Sequence, residues 1–118
     1  MDAEAKKLKL ENNNNQEKNL DLDNEKLKRR VYLNLLYDFY SPLLTERQRN
    51  VYELIEFSDL APTEAARTLG VSRQAVHILQ QRIINRLESI EKKLHFAETV
   101  QKLEAKIKLL EDNAKAHE

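Results

Sequence analysis

Ser72, Arg73, Gln74, His77, Gln81 and Arg82 carry the side chains in this sequence best suited to recognising another molecule. An Arg can fork onto guanine and a Gln onto adenine, and a helix that starts at a Ser offers backbone amides to a phosphate. These residues lie in or just beyond PTEAARTLGVSRQAVHIL, residues 62–79, so the question is which element presents them. Pro62 suits the first position of a helix, where its missing amide has no partner to lose. Ala65, Ala66 and Leu69 face inward on that helix. Gly70, the only Gly in the chain, follows where a left-handed helix end needs a residue without a Cβ. Val71 packs into the bend, Ser72 caps a second helix, and Val76 and Leu79 mark its inner face. Ala66, four residues before Gly70, lets the two helices cross closely. This is the register of a helix-turn-helix over residues 62–81, whose second helix enters the major groove with its first residues on base edges. Residues 62–86 hold Arg67, Arg73, Arg82 and Arg86 against Glu64, four positive minus one negative, a local +3 in the right place for a phosphate backbone.

Other chemistry is excluded by what is missing. The chain has no Cys, which removes thiolate chemistry and Cys-based metal sites. His77, His95 and His117 are too scattered to hold a metal. His77 falls on the recognition face and reads as a contact residue, whereas His95 follows Leu94 on a polar, solvated face. One Gly is too few for a phosphate-cradling loop. No nucleophile sits near a base and an orienting acid. The expectation is a protein that is not an enzyme and that takes no cofactor and no metal.

The elements around the motif follow from patterning. With 118 residues, 41% hydrophobic and 34% charged, the chain has room for one helical domain and an extension. Residues 1–23, with the run Asn12 to Asn15, bury too little apolar surface to order themselves and are expected to be a disordered or weakly helical tail. A domain is expected over residues 24–96. Asn24 caps its first helix, in which Leu27, Val31, Leu35, Leu36, Phe39 and Tyr40 share one face, and Tyr32, Tyr37, Phe39 and Tyr40 read as core. Pro42 ends that helix near Ser41. Thr45 and Gln48 form a capping box for the next, whose apolar stripe is Val51, Leu54 and Ile55, and Ser58 and Asp59 supply its turn.

Beyond Leu79 the apolar spacing continues through Ile83, Leu87, Ile90 and Leu94. It then shifts register to Phe96, Val100, Leu103, Ile107 and Leu110, so the helix either bends near Phe96 or a separate helix starts there. Residues 97–118 are expected to be an amphipathic helix. Its seam outruns what a small core can use, which makes Val100, Leu103, Ile107 and Leu110 a candidate homodimer interface. The Glu and Lys runs after Glu88 read as the wet side of a helix, with Glu104 and Lys108 spaced for a supporting pair. No apolar run approaches the roughly 18 residues of a membrane span, so the expected location is the cytoplasm, with no membrane insertion. The net charge of zero means that any nucleic-acid role rests on local charge.

The pieces NLLYDFYSPLLTERQR, VSRQAV and LESIEKKLHF, between Asn34 and Leu103, resemble the YlxM family of small bacterial helix-turn-helix proteins. VSRQAV by itself also resembles the last helix-turn-helix of bacterial sigma factors, and the combination with DFY, LLT and KLH is the more specific. The resemblance implies an all-α helix-turn-helix bundle of the sigma-region-four type, the winged-helix class of DNA-binding fold without its wing, with a long C-terminal helical extension. It implies no catalytic activity, a regulatory role, and a part in the signal recognition particle pathway, a link that comes from neighbouring genes. Its partners would be DNA, or the particle's RNA, and the particle's protein GTPase or the receptor of that GTPase. Carried over by position, the nucleic-acid contacts are Ser72, Arg73 and Gln74, with His77 where the family often has an aromatic residue. Ala61 departs from the pattern by lacking a capping hydroxyl, and the stretch before about Glu25 has no counterpart. Two other functions fit the same residues: a sigma-like regulator of promoter DNA, and a helical adaptor that binds only protein.

Overall fold

The computed structural model describes the backbone of residues 2–117 and the side chains of residues 17–117. The side chains of the Asn12 to Asn15 run, and the terminal residues Met1 and Glu118 of the expected tail and C-terminal helix, lie outside the described residues. Among the described residues five α-helices follow one another: α1 (Asp2–Tyr40), α2 (Glu46–Glu56), α3 (Pro62–Leu69), α4 (Arg73–Leu94) and α5 (Phe96–Ala116), with a 3-10 turn at Ser41–Leu43. Among the described residues there is no strand. The chain divides into two compact units, residues 1–34 and 35–118.

The first unit is helical throughout its described backbone. Asn24 lies inside α1 and does not cap it. Nothing before Pro42 is a Pro or a Gly, so no strong helix breaker interrupts α1. Residues 17–31 are exposed. Leu27 and Val31 were expected on a core face but are 60% and 62% exposed. Lys28 and Glu25 pair across one turn at 3.6 Å, both in solvent, where such a pair adds little.

The second unit holds the packed core. Tyr40 ends α1 beside Pro42, as the proline dictates. The Arg49 guanidinium closes the corner by donating to the Ser41 and Leu44 carbonyls at 3.2 and 2.7 Å. Thr45 and Gln48 form the expected capping box: the Gln48 amide donates to Thr45 Oγ1 at 3.1 Å, and the Thr45 amide to Gln48 Oε1 at 2.9 Å. Helices α2, α3 and α4 pack on one another. Leu36, Tyr37, Tyr40, Val51, Tyr52, Ala65, Ala66, Val76, Ile83, Leu87 and Ile90 are buried. Tyr37 stacks on Tyr52 at 4.3 Å between ring centres, and Phe57 meets both edge-on. Leu54 and Ile55 of the expected α2 stripe are half-buried, while Tyr52, beside that stripe, is among the most buried residues.

Helix α4 ends at Leu94, which is 42% exposed and does not continue the core face. His95 adopts left-handed geometry, φ 56 and ψ 27, and α5 starts at the next residue. The register shift near Phe96 is therefore a break between two helices. Glu91, expected on a wet face, is buried. Its carboxylate accepts hydrogen bonds from the Ala97 amide at 3.0 Å and the Glu98 amide at 3.2 Å, and so caps α5 from α4. His95 is exposed and its Nδ1 lies 3.1 Å from Glu98 Oε2. Glu98 also pairs with Lys102 at 2.9 Å. The Lys102 bond and charge, then His95, hold its carboxyl below the usual glutamate value.

Candidate nucleic-acid interface

Ala61 precedes α3 without a side-chain cap, and Pro62 fills the first turn. The reading of Ala61 as a start lacking a hydroxyl cap matches this geometry. Ala65 and Ala66 are 3% and 5% exposed, small enough to bring α3 against α4. The turn closes through two hydrogen bonds: the Gly70 amide to the Arg67 carbonyl at 3.2 Å, and the Val71 amide to the Ala66 carbonyl at 3.0 Å. This is the paired pattern that ends a helix through a left-handed residue. Gly70 supplies that residue at φ 69. A Cβ built there would meet nothing within 4 Å, so the demand for Gly is conformational.

Ser72 has extended geometry, and its Oγ accepts from the Ala75 amide at 3.1 Å. The Ser72 carbonyl takes the Val76 amide at 3.1 Å. The amides of Arg73 and Gln74 precede the first intrahelical bond and form the positive end of the helix. Ser72 thus acts first as a cap, through the hydroxyl that holds the Ala75 amide.

Arg73, Gln74, His77, Gln81 and Arg82 are all exposed on α4. Successive residues turn by about 100° around a helix. Arg73, His77 and Gln81, each four residues apart, therefore form one row, with Gln74 beside it. Arg82 lies roughly half a turn around from Arg73 and belongs to a different side. Gln81 Nε2 donates to Asn85 Oδ1 at 3.3 Å. The adjoining face is anchored by the buried Val76, Ile83 and Leu87, whereas Leu79 is half-buried.

A cleft of about 170 Å³ opens beside Arg73 and His77, floored by Ile55, Leu60, Pro62, Ala65 and Val76, with Gln80 on its wall. Gln80 donates to Glu56 on α2. This concavity was not readable from the recognition helix, because its floor comes from α2, the loop after it, and α3. Among the described residues no group of acidic, His or Cys side chains could hold a metal, and no helix is long and apolar enough to cross a membrane.

The fold and the turn define an all-α helix-turn-helix protein. The family described as "Putative helix-turn-helix protein, YlxM / p13 like" matches residues 27–118, and the chain belongs to that family. It is similar to the UPF0122 protein of Caldanaerobacter subterraneus subsp. tengcongensis, 34% identical over 82 residues, which cover 70% of each chain. The UPF0122 protein of Oceanobacillus iheyensis is 43% identical over 79 residues, 67% of this chain and 72% of that one. One from Staphylococcus haemolyticus is 46% identical over 66 residues, 56% of this chain and 60% of that one.

Proposed function

We propose that this protein is a non-enzymatic regulator that binds nucleic acid through the start of α4. Arg73, Gln74, His77 and Gln81 contact the bases and the amides of Arg73 and Gln74 meet a phosphate. The observation that carries this reading is the exposed row Arg73, His77 and Gln81 on a helix capped by Ser72. That geometry suits a major-groove helix. Arg82, around the helix, serves the flanking backbone. The protein acts in the cytoplasm and in the signal recognition particle pathway, on DNA or on the particle's RNA, beside the particle's GTPase or its receptor. The resemblance to the YlxM family supports that last step. Self-association through Val100, Leu103, Ile107 and Leu110 belongs to the same reading, since two recognition helices hold a target far better than one.

The test is Arg73→Ala in a titration of labelled DNA and of the particle's RNA. A base contact predicts a loss of roughly 1–3 kcal/mol in specific binding with relaxed sequence preference. A phosphate contact predicts an even loss across sequences and a shallower salt dependence. If neither nucleic acid binds at ~50 mM salt, where phosphate contacts are strongest, the reading fails. One alternative has its own support: the apolar-floored cleft beside Arg73, in a chain of zero net charge, suits a helical adaptor that docks protein. Capture of the GTPase or its receptor, lost in Arg73→Ala, would favour that adaptor.

A further inference from the structure

From residue 101 to residue 116 every side chain of α5 is exposed. Leu103, Ile107 and Leu110 present 52%, 53% and 68% of their surface to solvent. A short helix gains too little from its own hydrogen bonds to be stable in water, and most helices in proteins are held by packing an apolar face. The residue types along this face say what packs there. Val100 and Ile107 occupy the first position of a seven-residue repeat, and Leu103 and Leu110 the fourth. Phe96 extends the fourth-position row backwards and Ala114 the first-position row forwards. A β-branched residue at the first core position with Leu at the fourth is the combination that favours two parallel strands.

The flanking charges agree on orientation. Lys106 immediately precedes Ile107, and Glu111 immediately follows Leu110. In a parallel pair, Lys106 of one copy meets Glu111 of the other, twice by symmetry. An antiparallel pair centred on this seam would set Lys106 against Lys106 and Glu104 against Glu104. Exposed ion pairs are individually weak, so the apolar seam supplies the attraction and the charges choose the direction.

Resting on the self-association reading above, we infer that α5 pairs with α5 of a second copy as a parallel two-stranded coiled coil. Its two-fold axis runs along the stalk, and both helix-turn-helix motifs hang from the same end. Glu91 holds the Ala97 and Glu98 amides, so each stalk helix joins its α4 without a linker. The nucleic-acid site that fits such a pair carries two half-sites in inverted order, mirroring the protein's symmetry.

The absence of Cys makes single-Cys variants clean reporters of orientation. On mild oxidation Ala114→Cys should give a disulfide-linked dimer, because the two residues face each other in the parallel register. In the antiparallel pair they would sit roughly 27 Å apart. Ala105→Cys, on the outer side of the seam, should remain largely uncrosslinked. In sedimentation equilibrium Lys106→Glu should weaken the dimer by roughly tenfold, and adding E111K to the same chain should restore it. A wild-type monomer at tens of micromolar overturns both the self-association reading and the coiled coil. A dimer in which Ala114→Cys crosslinks no better than Ala105→Cys, or in which E111K gives no rescue, overturns the parallel pairing alone. None of these readouts involves nucleic acid, so nucleic-acid binding by α4 stands or falls separately.

Discussion

The Tyr40 hydroxyl donates a 2.5 Å hydrogen bond to Glu91 Oε1 across 51 residues of sequence, and the same hydroxyl accepts the Phe96 amide at 3.2 Å. With the Ala97 and Glu98 amides on the Glu91 carboxylate, the end of α1, the end of α4 and the start of α5 meet at one buried knot. Burial first, and the bond to Glu91 next, raise the Tyr40 phenol above its ordinary value. Glu91→Ala would leave the Tyr40 hydroxyl and two amides without their acceptor. It should cost about 2–3 kcal/mol in urea unfolding and lower the helical signal. Tyr40→Phe removes less and should cost about 1–2 kcal/mol. A loss under about 0.5 kcal/mol for both, the range of ordinary surface changes, would mean that the knot is incidental.

Tyr37 donates to Glu53 Oε1 at 2.7 Å. Burial, then that bond and the charge of Glu53, push its phenol from 10.0 up to about 12. The folded state therefore favours the neutral phenol. Its contribution is fully present below pH 10 and disappears as the pH rises from 10 to about 12. The gap in urea midpoint between the wild type and Tyr37→Phe should narrow over that interval. A gap that stays constant through it would refute the linkage.

Gly70→Ala forces a Cβ into left-handed geometry at φ 69 without any clash to relieve. The expected cost is about 1–2 kcal/mol, read from chemical denaturation, with Gly70→Asn losing less because Asn tolerates this region better. Equal losses for the two variants would point to a steric cause instead.

Leu20 and Leu22 are 63% and 59% exposed, in a stretch where residues 17–31 all face solvent. Deleting residues 1–22 should shift the melting temperature by no more than about two degrees. A drop of several degrees would make the segment part of the folded domain.

What could be read in the sequence was local chemistry. Pro42, the Thr45–Gln48 pair, Gly70 and Ser72 act on amides within a few residues, so each announces a helix end by itself. The outward row of α4 followed from helical spacing for the same reason. Glu91 was missed because its partners, Tyr40 and the α5 amides, lie on other elements, and among Glu and Lys residues it reads as solvated. Leu27, Val31 and Leu94 keep the right spacing yet remain in solvent, since periodicity marks a face and not what covers it. The cleft beside Arg73 needed Ile55 and Leu60 brought in by the fold. Helix α1 starts ahead of the expected Asn24 because no Pro or Gly precedes Pro42 to break it, a signal that a burial argument does not weigh.

The left-handed residue at His95 sets the angle at which α5 leaves α4. The 22 residues of α4 span roughly 33 Å, with His95 just beyond one end and Arg73 at the other. A difference of ~10° in that angle would displace Arg73 by roughly 6 Å relative to α5, nearly two base-pair steps. In the pair proposed above, the placement of one Arg73 relative to the other would then follow from this joint, which Tyr40 and Glu91 hold, with no change on the exposed row itself.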